Sequence, residues 1–165
     1  MQRPRSASEP APSPRPDAVV GPGPARDPYV KFRRIVLAIF ALGVAGTFAE
    51  LILLEHTESL WQLVPVVALP LGLLLAVAAA VRPARITLRL FQSMMALFVI
   101  AGGIGLYLHY RGNVEFELEM MPSLRGLKLF WESITGATPA LAPGAMAQFG
   151  LLGLAYTYRH PALRG

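Results

Sequence analysis

The sequence predicts an all-helical membrane domain: a bundle of four transmembrane helices, with a short amphipathic helix at the interface between spans three and four. Three observations lead there. Hydrophobic residues fill 54% of the 165 positions and charged residues only 15%, whereas a soluble domain carries about 25% charged residues. The apolar residues gather in four long runs. Most of the Lys and Arg residues stand beside those runs. The net charge of +5 therefore points to orientation in a bilayer and not to nucleic acid.

The first 30 residues hold eight of the fifteen prolines, with Ser, Ala, Gly and Arg filling most of the rest. Such a segment buries too little apolar surface to offset its ordering entropy. It is expected to be a disordered cytoplasmic tail, and the plain reading is a tether. A proline-rich ligand for a partner is the alternative. Residues 31–165 form the transmembrane domain.

Span one runs over about 35–54. Its roughly 20 residues cross ~30 Å of hydrocarbon at 1.5 Å each. Lys31, Arg33 and Arg34 stand just before it. A cleaved signal peptide is the competing reading, with Ala45 and Gly46 as a mimic of the cleavage site. The long preceding tail and the continuing apolar run argue against it. Span two covers about 63–81, with Pro65 in its first turn and Pro70 as an expected kink. Span three covers about 90–108, and span four about 140–158, opened by Pro139 and Pro143 and closed by Arg159. No internal repeat relates the two halves, which weakens a repeat-built transporter.

Orientation follows from the basic residues. Twelve Lys and Arg lie on the side of the tail, the 82–89 loop and the carboxy terminus, against Arg111, Arg125 and Lys128 opposite. Both termini are therefore expected in the cytoplasm of a multi-pass plasma (inner) membrane protein. Trp61, Tyr107, Tyr110 and Trp131 fall near the outer boundary, as interfacial aromatics do.

The outer loop, 109–139, is long for a connector. In its second half Leu124, Leu127, Phe130, Trp131 and Ile134 share one helical face, with Arg125, Lys128, Glu132 and Ser133 opposite. This stretch is expected to lie in the interface. In the first half, Val114 to Met120, apolar residues alternate with Glu115, Glu117 and Glu119, so an extended or irregular segment is expected.

The chain has no cysteine, which excludes disulfides, zinc-thiolate sites, iron–sulfur clusters and thiol catalysis. It also lacks a phosphate loop, an HExxH pair and a GxSxG elbow, so no enzyme activity and no catalytic residue are assigned. Glu50, one turn inside the outer end of span one, is the most informative polar residue. It either reaches the interface or serves as a proton or cation site. Gln148, Gln92 and Thr47 are candidates for interhelical hydrogen bonds, and Gln148 doubles as a polar waypoint. His56 and His109 are expected at similar depth. With Glu50 or Glu55 they are weak candidates for a metal, or in pairs for haem. Packing around adaptable side chains explains Met94-Met95 and Met120-Met121 better than copper does. Small residues recur as Ala41, Ala45 and Ala49, as Ala101 and Gly105, and as Gly150 and Gly153. These favour helix contacts within or between chains.

The leading expectation is a non-enzymatic accessory or scaffold subunit of a membrane complex. Its partners are the lipid bilayer and another membrane protein or a second copy, with no cofactor. An oligomeric ion- or proton-coupled transporter or channel component using Glu50 is the first alternative. A metal or haem redox protein using His56 and His109 is the second.

Overall fold

The structure, a computed structural model, describes residues 28–136 and 142–164. The tail segment 1–27 and the start of the expected fourth span, including Pro139 and Ala140, lie outside the described residues. Five α-helices follow in order: α1 (Val30–Leu53), α2 (Leu60–Val81), α3 (Arg85–Met120), α4 (Gly126–Ile134) and α5 (Gly144–Thr157). A short 3-10 turn, Pro161–Leu163, closes the chain. Among the described residues there is no strand.

Three helices, α1, α2 and α3, are long and apolar enough to cross a membrane. α5 has 14 residues, which span only about 21 Å. It is shorter than the expected 140–158 run and shorter than a typical hydrocarbon core. Its closing end is set by Tyr158 and by Arg159, whose φ is 50°.

The helices form a ring in which α1 packs on α2, α2 on α3, α3 on α5, and α5 on α1. α1 and α3 stand diagonally, and successive neighbours run antiparallel. Phe40 occupies the centre with no exposed surface. Its ring meets Phe91 at 5.7 Å, Phe149 at 6.4 Å and Phe98 at 6.5 Å between centroids. The Phe91 and Phe149 contacts are edge-on, the arrangement that aromatic quadrupoles prefer. Glycine opens room for these rings. A Cβ on Gly72 would lie 2.5 Å from the Phe98 ring, and one on Gly43 would lie 2.5 Å from Phe149. Along α3 and α5 backbone approaches backbone: a Cβ on Gly102 would lie 2.6 Å from the Ala147 nitrogen, and one on Gly150 would lie 2.6 Å from the Met95 carbonyl oxygen. Close approach of this kind drives helix association in lipid, where burying apolar side chains gains little. The large apolar residues on the outer faces, such as Leu42 at 78% exposure, suit contact with lipid tails.

Two sequence expectations are corrected. The extended segment expected over Val114–Met120 is helix. α3 continues for 36 residues from Arg85, so much of the expected outer loop 109–139 belongs to a rod. Extending an existing helix avoids the cost of a new nucleus, and an Arg111–Glu115 ion pair at 2.9 Å supports it one turn apart. The face that meets α4 carries Tyr110, whose ring lies 5.9 Å from that of Phe130, and Asn113, three residues on. Secondly, Ser133, expected on the polar face of the amphipathic helix, is fully buried. Its hydroxyl donates to the Leu129 carbonyl at 2.7 Å, and its own carbonyl accepts from the Asn113 amide at 2.8 Å. Leu127 and Trp131, from the expected apolar face, remain exposed.

α2 begins at Leu60, earlier than the apolar run, because Ser59 and Gln62 cap it reciprocally. Pro65 therefore lies beyond the first turn. The helix continues through both Pro65 and Pro70, each of which withholds one N–H from the ladder.

Candidate functional site

The described carboxylates all lie at one end of the bundle, while most of the described cations lie at the other. Lys31, Arg33, Arg34, Arg82, Arg85, Arg89, Arg159 and Arg164 gather at one end, with no Asp or Glu among the described residues there. Glu50, Glu55, Glu58, Glu115, Glu117, Glu119 and Glu132 gather at the other, with Arg111, Arg125 and Lys128. Trp61, Tyr107 and Trp131 stand exposed at the acidic end.

At the acidic end α1 stops in a Schellman turn. The His56 N–H donates to the Leu51 carbonyl at 3.0 Å and the Glu55 N–H to Ile52 at 3.1 Å. Glu55 takes the left-handed position at φ 50°, where glycine is the usual occupant. The turn brings His56 within electrostatic reach of His109 on α3. Partial burial, then the neighbouring His109, hold the His56 imidazole below its ordinary pKa, against an opposing pull from Glu58. His109 Nδ1 is enclosed without a hydrogen-bond partner.

The two histidines, expected at similar depth, are thus also within electrostatic reach of each other, which depth alone left open. Glu58 is the carboxylate that acts on His56, and not Glu50 or Glu55. Glu50 and Glu55 are exposed, and among the described residues no group of three His, Asp or Glu side chains is arranged to hold a metal. Gln148 is exposed midway along α5, so neither proposed waypoint, Glu50 nor Gln148, enters the bundle centre. Gln92 does bridge helices: its amide donates to the Thr157 hydroxyl at 3.0 Å.

The basic end holds what the sequence reading missed. Arg33, expected only to orient the first span, is 5% exposed. Its guanidinium donates to the carbonyls of Tyr158 at 3.3 Å and Arg159 at 3.1 Å, and it lies 5.7 Å from the centre of the Tyr29 ring. A cation there meets the negative end of the α5 dipole. Thr157 passes its hydrogen bond on to the Leu154 carbonyl at 2.8 Å, and the Tyr156 hydroxyl reaches the Ala79 carbonyl at 3.4 Å. The carboxy-terminal segment is thus tied to α1, α2 and α3. The one available signal was Arg33 falling at i−3 from Val36 and i−7 from Phe40, on the buried face.

Taken together, the geometry offers a filled apolar centre, a histidine pair at one end, a polar latch at the other, and two polar side chains facing outward. No family model, no curated protein and no solved structure matches the chain.

Proposed function

We propose that the chain is a four-span protein of the plasma (inner) membrane, with both termini in the cytoplasm, that serves as an accessory or scaffold subunit of a membrane complex. The observation that carries this reading is the placement of polar groups. Phe40, Phe91, Phe98 and Phe149 fill the bundle centre, while Glu50 and Gln148 face outward from apolar helices. Polar side chains facing lipid are costly, and a hydrogen-bonding partner helix relieves that cost. Ala45, Gly46 and Ala49 lie exposed on the same helix as Glu50 and suit close approach of such a helix. The partner is another membrane protein or a second copy. The same placement counts against an ion pathway through one chain, so a transport role for Glu50 requires assembly.

The separation of charge supports the orientation, with the basic end cytoplasmic. The amphipathic character of α4 and the exposed Leu127 and Trp131 support contact with the outer interface. The experiment is purification of the native assembly in mild detergent, with mass spectrometry of proteins and metals. Stoichiometric partners that are lost with Gln148→Leu and Glu50→Leu support the subunit reading. A monodisperse single-chain monomer that binds nothing refutes it.

One observation favours a second reading, a metal or haem centre: the proximity of His56 and the enclosed, unpartnered Nδ1 of His109. Imidazole pairs suit borderline metal ions. This reading draws the remaining ligands from solvent or from a partner. Stoichiometric metal, or a Soret band, that vanishes with His109→Ala supports it. Clean protein without either refutes it.

A further inference from the structure

At the basic end Tyr29, Phe32 and Tyr158 line an open apolar groove of about 360 Å³. All three rings are exposed. One cation borders the groove, and others lie at the same end of the bundle. The Arg159 guanidinium lies 5.4 Å from the centre of the Tyr158 ring, and Lys31 and Arg34 are exposed in the same turn of α1 as Phe32. α1 starts with no side-chain cap and no acidic residue in its first turn. Its cations therefore face the positive end of its own dipole.

We infer that the groove binds an anionic phospholipid. A stretch of one acyl chain lies on the three rings, and the phosphate sits beside Arg159. The pairing of surfaces selects this occupant. Aromatic walls alone would accept any lipid tail, and cations alone would accept any anion. An apolar groove beside a cation at the boundary of a membrane helix matches a ligand that is both. The groove has room for a segment of one chain, with the rest of the lipid in the bilayer. This inference rests on the membrane reading and is independent of the subunit role.

The test uses the full chain in mild detergent, with phosphatidylglycerol and phosphatidylcholine of matched acyl chains and retention read by native mass spectrometry. Phosphatidylglycerol should be retained preferentially. Arg159→Gln should weaken it by roughly 5-fold, more than Lys31→Gln or Arg34→Gln on the neighbouring faces of α1, while Arg125→Gln at the opposite end should have no effect. Phe32→Ala should weaken both lipids. A second measurement uses Phe32→Trp in vesicles, quenched more by brominated phosphatidylglycerol than by brominated phosphatidylcholine at equal content. Equal retention of the two lipids, or equal quenching in folded protein, would overturn the inference. So would equally tight binding of free glycerol phosphate, which would assign a plain anion site. A lipid-independent dimer that seals the groove would assign it to a second copy instead.

Discussion

At Glu55 the chain leaves α1 through a left-handed residue, and its carboxylate is exposed. Nothing in the turn uses the side chain, so Glu55→Gly should raise stability by about 1 kcal/mol, read as a higher melting temperature in detergent. Arg33 behaves oppositely. Its two charge-assisted bonds hold the end of α5, and Arg33→Met should cost about 2–3 kcal/mol. Arg33→Lys should rescue little of this, because an ammonium cannot reproduce the guanidinium fork. His56 supplies a pH dependence with a definite sign. Its folded pKa lies below the unfolded value, so the unfolded chain takes up the proton more readily. Stability should be unaffected well above the ordinary histidine range and should fall as pH drops through it. Melting curves from about pH 8 to about pH 5 should show this loss, and His56→Gln should flatten it. These residues were unevenly legible. The shared depth of His56 and His109 followed from hydropathy alone. Arg33 did not stand out, because a basic residue beside an apolar run has an ordinary topological role, and its burial depends on α5, more than a hundred residues away.

Among the elements, the α3–α5 contact makes the sharpest demand on sequence. Gly102 faces the α5 backbone, while its neighbour Gly103 faces open space. Gly102→Ala should therefore destabilise by about 1–3 kcal/mol, whereas Gly103→Ala should stabilise by about 0.5–1 kcal/mol through helix propensity. Denaturation of the two variants side by side checks both signs. Asn113 joins α3 to α4 through a buried bond to the Ser133 carbonyl. Asn113→Ala should leave the bundle intact and speed amide exchange across Gly126–Ile134. The helices that can cross a membrane were readable because each contains a long apolar stretch with few charges. The extension of α3 was not, since Glu115, Glu117 and Glu119 alternate with apolar residues and suggest a period of two. Continuity with a helix already formed outweighs that pattern. Ser133 was misplaced for a related reason. A helix wheel gives the angle between side chains, but α3 decides which angle is covered.

For the whole molecule, the separation of charge makes a direct topological forecast. The chain has no cysteine, so single cysteines introduced at Arg85 and at Glu117 should react with an impermeant maleimide from opposite sides of the membrane. Labelling of both from one side would rule out the proposed arrangement. The all-helical architecture was legible at this scale, because lipid leaves the backbone few other ways to satisfy its hydrogen bonds. The role of the protein was not, because recognition by a partner depends on the partner's surface as well as on this one. The length of α3 carries a mechanical consequence. At 36 residues it is a stiff lever about 54 Å long, anchored among the other helices over its first two thirds and bearing α4 on its free arm. A bend of about 10° in the free arm, about 18 Å long beyond Leu108, would move Met120 through roughly 3 Å. Bending there would displace α4 while leaving the aromatic centre of the bundle in place.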